Sequence, residues 1–303
     1  MAEITRRRTG ELLRELFNIL MAAPAGLQAS AALQALAQRV TLTPYEAATY
    51  ESGGRRFDKI VRFATVDCVK AGWLVKDKGI WKVTDEGRKL HATLTEPEAF
   101  YRRAVQLYNE WRASQPDAQD AAVPTPESPE ALSLDNAAKA VSITFEEAEE
   151  HAWAEISQHL RTMNPYDFQD LVADLLRAMG YHVSWVSPPG KDGGLDVLAW
   201  PDALGTRLPR IKVQVKRQQV AVNVDGLRSF MALLGDDDVG LFVCTGGFTK
   251  DAETEARTQE KRRVNLIGLE KLFDLWVEHY DKLTDQARRR LPLRPIQFLS
   301  PGG

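Results

Sequence analysis

Between Ala113 and Asn136 the chain reads ASQPDAQDAAVPTPESPEALSLDN, with four prolines and no aromatic residue. A stretch so poor in large apolar side chains does not bury enough surface to offset the entropy of ordering its backbone. It therefore divides the 303 residues into two folding units rather than one. The expected organisation is an N-terminal unit at 1–112, an acidic Pro/Ala-rich linker at 113–140, a C-terminal unit at 141–283 and a basic tail at 284–303. No internal repeat at a period of 20–50 residues competes with this division.

The same region explains the overall charge. The formal net charge is −3, which argues against a polyanionic partner if charge were spread evenly. It is not. Residues 111–160 hold ten acidic and two basic side chains, so the rest of the chain is net positive. Screening at physiological salt acts over about 8 Å, so local fields decide polyanion binding. The acidic stretch is itself expected to compete with any polyanionic partner for basic surfaces of the resting protein. Two distant cysteines, Cys68 and Cys244, with no CxxC pair, fit a reducing compartment. No apolar run approaches the ~20 residues of a membrane span, and the basic N-terminus lacks a secretory apolar core. The expectation is a cytoplasmic protein with no membrane partner.

The N-terminal unit has helical apolar spacing at Leu12, Leu13, Leu16, Phe17 and Leu20, with Thr9 as the expected cap. A second helix carries Leu33, Leu36 and Val40, and a third runs from Arg56 to Ala71, closed by Gly72. WLVKDKGIWKVT then reads as strand, tight turn and strand, before a helix opened by Thr84. Helix, helix, basic helix, hairpin, helix is the order of a winged helix-turn-helix, in which a helix enters the major groove of DNA. On that reading Arg55, Arg56, Lys59 and Arg62 face phosphates or base edges, with Lys76, Lys78 and Lys82 on the wing. The plain alternative is a solvated basic face on a protein-interaction module.

The C-terminal unit opens with Thr144 and Glu147 at capping-box spacing, predicting a helix from there to about Leu160. Asn164-Pro165 starts another, with Phe168, Leu171, Val172, Leu175 and Leu176 on its buried side. Strands are expected at 181–186, 195–200, 210–216, 239–245 and 264–268, with helices at 224–234, 249–261 and 270–282. This is a mixed sheet flanked by helices, and the whole chain is α+β and multidomain.

Two of these strands carry polar groups where apolar ones belong. In GGLDVLAW, Asp196 follows two glycines; in RIKVQVKR, Gln214 and Lys216 lie two apart and so share a face. Were the strands neighbours, a carboxylate, an amide oxygen and an ammonium would converge. Hard divalent cations take oxygen ligands and complete their shell with water or phosphate. A lysine beside them stabilises an attacking water and developing phosphoryl charge. Those residue types equip a site for metal-assisted phosphodiester hydrolysis.

The run NPYDFQDLVADLLRAMGYHV, then PPGKDGGLDVLAW, then RIKVQVKR, resembles the Mrr family of restriction endonucleases, within the PD-(D/E)xK nuclease group. GWLVKDKGIWKVTDEGRKL is similar to the DNA-binding domain that precedes the nuclease in that family. The resemblance covers about residues 9–110 and 141–280. It implies a winged helix followed by a restriction-endonuclease-like mixed sheet, and a type IV-like activity that restricts foreign, possibly modified or methylated, double-stranded DNA. It implies that Asp196 binds metal, that Gln214 replaces the usual acidic ligand, that the Val215 carbonyl faces the metal, and that Lys216 is catalytic. The cofactor implied is Mg²⁺, with Mn²⁺ able to substitute, and the working form is a homodimer or higher homo-oligomer, since cutting two strands takes two sites. One position departs: Gln169 stands where many members carry an acid, leaving Asp196 as the site's one confident carboxylate.

Accessory roles fall to Gln169 and Asp192, and DNA contacts to Lys191 and Arg217; Asp192 reads more readily as a turn residue. The five histidines are scattered and form no zinc set. Gly246-Gly247 lacks the spacing of a phosphate-binding loop, so no ATP requirement is expected. Trp153, Trp185 and Trp200 read as packing residues and Cys244 as a small buried hydrophobe. The rival classes are a DNA-binding regulator or scaffold with a catalytically weak nuclease fold, and a repair or junction-resolving nuclease.

Overall fold

The structure, a computed structural model, describes residues 4–50, 54–114, 129–190 and 193–297, with side chains from Lys139 onward in the third stretch. The chain forms two compact units, one reaching to Ala154 and the other spanning Glu155–Ile296.

The first unit contains α1 (Arg6–Met21), β1 (Leu27–Gln28), α2 (Ala29–Arg39), α3 (Pro44–Ala47), α4 (Arg56–Lys70), β2 (Leu74–Asp77), β3 (Ile80–Val83), α5 (Asp85–Thr93) and α6 (Pro97–Ala113). Thr5, not Thr9, caps α1 by accepting the Arg8 N–H at 3.1 Å; Thr9 is buried one turn further in. The stripe Leu12, Leu13, Leu16, Phe17 and Leu20 is buried and meets Phe100 and Ala104 of α6. Gly10 permits that crossing, because a Cβ there would stand 1.9 Å from the Pro97 carbonyl oxygen. β2 and β3 pair antiparallel around Lys78 and Gly79, whose φ values of +47° and +76° suit a two-residue hairpin turn. β1 adds to the other side of β3, giving the order β1-β3-β2.

α7 (Pro129–Thr162) corrects the expected helix start. Thr144 lies within this helix, and its hydroxyl bonds back to the Ala140 carbonyl at 3.0 Å. A threonine inside a helix satisfies itself this way, so capping-box spacing alone does not mark a beginning. The helix also runs through residues 129–140 of the expected linker, while 115–128 lie outside the described residues.

The second unit contains the end of α7, then α8 (Pro165–Ala178), β4 (His182–Val186), β5 (Val197–Trp200), β6 (Arg210–Lys216), α9 (Val224–Met231), β7 (Asp238–Cys244), α10 (Lys250–Thr258), β8 (Arg263–Ile267), α11 (Leu269–Glu278) and α12 (Asp285–Arg290). Asn164 caps α8 with Pro165 at its first position, as the sequence indicates. The sheet order is β4-β5-β6-β7-β8, antiparallel across the first three strands and parallel across the last three. On one face, Ile211, Val239, Leu241 and Val243 look toward α8 and α11 across an apolar cavity of about 260 Å³. On the other, Phe242 packs on Phe230 of α9 and on Ala252 of α10. Trp153 is buried as expected, whereas Trp185 is exposed on the edge strand β4. The 284–303 segment begins as structure, because Arg290 binds Asp167, Asp170 and Asp174 of α8 at 3.3, 2.8 and 3.2 Å.

Candidate active site

The antiparallel register of β5 on β6 sets the site. Val197 faces Val213, so Asp196, one residue before β5, falls opposite Gln214. The Asp196 N–H donates to the Val213 carbonyl at 2.9 Å, continuing the ladder past the strand end. Gly193 and Gly194, at φ +63° and +86°, bring the chain into that position through a conformation that disfavours side chains.

The Asp196 side chain is buried, and its Oδ2 accepts the Val215 N–H at 2.7 Å. A strand residue turns its N–H and C=O to the same edge, so the Val215 carbonyl also lies on the Asp196 side of β6. Gln214 donates from Nε2 to the Gly194 carbonyl at 3.0 Å, which fixes its amide beside the glycine turn and leaves Oε1 as its acceptor. Lys216 stands two residues on, with Nζ 5.5 Å from the centre of the Phe242 ring. Its carbonyl accepts the Thr245 N–H at 3.1 Å, and the Thr245 hydroxyl bridges the N–H and carbonyl of Gln218. The end of β6 is thereby clamped to β7.

Gln169 is buried on α8 and reaches Asp196 indirectly. Its Nε2 donates to the Ser187 carbonyl at 2.8 Å, while the Ser187 N–H donates to the Asp196 carbonyl at 2.8 Å. Ser187 was not legible as a site residue, because both bonds use its backbone and no side-chain pattern marks it. Asp167 and Asp170 face away, held by Arg290. Arg217 donates to the Arg161 carbonyl at 2.9 Å. Lys191 and Asp192 lie outside the described residues. Among the described residues no three His, Cys, Asp or Glu side chains gather as a metal cluster.

In the first unit the expected DNA-facing residues separate into two sets. Lys59 and Lys82 are exposed; Arg55 pairs with Asp58 at 3.0 Å; and Arg56 sits over the rings of Tyr45 and Tyr50 at 4.9 and 5.5 Å. Lys78, in the hairpin turn, lies 5.7 Å from the Trp153 ring. Arg62 and Lys76 depart from the expected surface role. Arg62 is buried and Lys76 partly so, and both reach Glu146 of α7 at 2.6 Å, with Arg62 also reaching Glu150 at 2.6 Å. Burial pushes the Lys76 ammonium below its ordinary range, against the pull of Glu146. Their partners were hidden from the sequence because they lie 84 and 70 residues away.

Residues 160–276 match the family model of the Mrr catalytic domain, described as a restriction endonuclease, and residues 10–93 match the Mrr N-terminal domain. Together they span about two thirds of the chain. The chain belongs to the Mrr family. Asp196, Gln214 and Lys216 all lie within the Mrr catalytic match. No curated protein matches the chain. Among solved structures it is similar to the MspJI restriction endonuclease in complex with a 27-mer oligonucleotide, at 20% identity and a TM-score of 0.32. That match covers 65% of this chain and 45% of the MspJI chain, so this Mrr chain spans under half the length of that neighbour. A repair endonuclease from Pyrococcus abyssi matches at 15% identity and a TM-score of 0.25, covering 35% of this chain and 47% of that one. Overlays this loose carry no inference about the site. Among the described residues no helix is long and apolar enough to cross a membrane.

Proposed function

We propose that this Mrr chain is a Mg²⁺-dependent DNA endonuclease that restricts foreign, modified DNA in the cytoplasm. Its second unit cuts, and its first unit holds double-stranded DNA through a winged helix. The observation that carries this reading is the placement of Asp196 opposite Gln214 on adjacent strands, with Lys216 next on the same face. The donor set fits a hard divalent cation: the Asp196 carboxylate, Gln214 Oε1 and the Val215 carbonyl are all oxygens, and they belong to residues at the adjoining ends of β5 and β6. Mg²⁺ bound there would supply Lewis acidity at a phosphoryl oxygen and lower the pKa of a water.

The chain's own groups do the rest. Asp196 is held by Val215 and its ladder bonds, so its carboxylate needs no reorganisation when substrate arrives. Lys216 provides an ammonium to orient the attacking water and to offset charge developing on the phosphoryl oxygens. Phe242 supports that ammonium without neutralising it, as a carboxylate would. Cutting both strands takes two copies of the site, so the working form is a homodimer or larger homo-oligomer on DNA.

A second reading rests on Gln169 and Gln214. Both amides donate to backbone carbonyls, of Ser187 and Gly194, in positions where a second acid would add metal affinity. On that reading the chain is a DNA-binding regulator with a weak nuclease site. Plasmid cleavage with Mg²⁺ or Mn²⁺ separates the two. Activity lost in both Asp196→Ala and Lys216→Ala supports the nuclease, by roughly 10²–10³-fold for Lys216→Ala. Tight DNA binding without cleavage of either methylated or unmethylated plasmid supports the regulator.

A further inference from the structure

One face of α7 is built to occupy the basic surface of the first unit. Lys139, Ile143, Glu146, Glu150 and Trp153 recur at helical spacing and lie on one side of it. Lys139 pairs with buried Asp67 of α4 at 2.6 Å, and Ile143 packs on Val66 of α4 and Tyr108 of α6. Glu146 then takes three donors. Its Oε1 accepts from Arg62 at 2.6 Å and from the Trp81 indole at 2.8 Å, and its Oε2 accepts from Lys76 at 2.6 Å. Glu150 accepts from Arg62 at 2.6 Å and from the Ser30 N–H at 3.1 Å, and Glu147 adds a third carboxylate 3.5 Å from Arg62. The covered elements are the basic helix α4 and the β2–β3 hairpin.

We infer that α7 is an internal mask: Glu146, Glu147 and Glu150 hold the Arg62 and Lys76 donors that DNA phosphates would take, and DNA engages α4 and the hairpin only when this acidic turn leaves. The inference rests on the reading that the first unit binds DNA. Charge chemistry favours an exchange over a permanent core. Stripping one partner from a buried ion pair is costly because the other charge is left uncompensated. Replacing carboxylates by phosphates keeps Arg62 and Lys76 paired throughout, and the released glutamates return to water. Arginine also accepts phosphate as readily as carboxylate, since its planar fork matches both. The masking residues thus lie in a folded helix, beyond the linker on which the sequence placed the competition. Lys59 and Lys82 stay exposed outside the mask and provide the first, weaker contact.

The test uses the full chain and an end-labelled DNA duplex followed by fluorescence anisotropy. Glu146→Gln/Glu150→Gln should bind at least tenfold more tightly than the unmodified protein. Its log–log salt dependence should steepen by about two, as two more cations release phosphate counterions. Unchanged or weaker affinity in a variant that melts as the unmodified protein does would overturn the mask. Because the double substitution strips charge from buried cations, the deciding measurement is amide hydrogen exchange on the unmodified chain. Saturating duplex should remove protection from residues 146–154 and add it to α4, while Lys139 keeps its pairing with Asp67. Duplex that binds and leaves 146–154 protected overturns this inference alone. Failure of both proteins to bind duplex overturns it together with the DNA-binding reading.

Discussion

The Asp196 carboxylate accepts the N–H of Val215, the residue between Gln214 and Lys216, at 2.7 Å. One bond therefore ties the two halves of the site, and two substitutions separate its structural part from its chemical part. Asp196→Asn keeps an oxygen for the Val215 N–H and removes the negative charge. Cleavage should fall by at least roughly 10²-fold while the melting temperature holds. Asp196→Ala also leaves a buried N–H unpaired, at a cost of about 1–3 kcal/mol. It should melt roughly 3–8 °C below the Asn variant. Equal melting of the two variants in a thermal scan would show that the bond contributes nothing to the fold.

Gln214→Glu tests whether the amide limits metal binding. The new carboxylate adds charge to the donor set, and the Mg²⁺ concentration giving half-maximal cleavage should drop by about tenfold. The same change removes the Nε2 donor and sets an anion against the Gly194 carbonyl, now 3.0 Å from the amide nitrogen. The metal-free variant should therefore be less stable than the unmodified protein, and Mg²⁺ should restore more of its melting temperature. Calorimetric titration of metal checks the affinity directly; unchanged affinity would place the cation away from residue 214.

Much of this site was legible because its logic is local. Gln214-x-Lys216 share a face by strand geometry, and the paired glycines before Asp196 mark a turn that only a small residue tolerates. Strand alternation and the Asn164-Pro165 start placed β6 and α8 within a residue of where they lie. What stayed hidden was set by partners distant in sequence. Arg62 and Lys76 read as surface cations because nothing near them announces Glu146, and Ser187 joins Gln169 to Asp196 by backbone alone. The partners of the basic tail were hidden for the same reason, since Arg290 finds three aspartates on a helix more than a hundred residues earlier.

Arg290→Ala turns that last point into a measurement. The guanidinium bridges Asp167, Asp170 and Asp174, two of them well exposed, so the network should contribute only about 1 kcal/mol. The melting temperature should fall by a few degrees. Affinity for duplex and its salt dependence should stay as in the unmodified protein, because this arginine is spent within its own unit. A shallower salt slope in anisotropy titrations would instead place Arg290 at the DNA interface.

Asp238 gives the second unit an acid-sensitive joint. It starts β7, where it meets Arg210 at 2.7 Å and Lys212 at 2.9 Å and accepts the Gly235 N–H at 2.7 Å. Burial pushes its carboxyl up, but the hydrogen bonds from Arg210, Lys212 and Gly235 outweigh that and hold it well below the usual carboxylate range. The unfolded chain then binds the proton more readily than the folded one, so stability rises with pH across this interval. The contribution is complete above the unfolded value of about 4 and drains away as pH falls toward the folded value. Asp238→Asn removes it at every pH, at about 2 kcal/mol given the half-exposed Arg210 partner. Melting curves of the two proteins should be furthest apart near neutral pH and draw together on acidification below about pH 4. A constant gap down to strong acid would mean that this carboxyl is not the group whose protonation loosens the sheet.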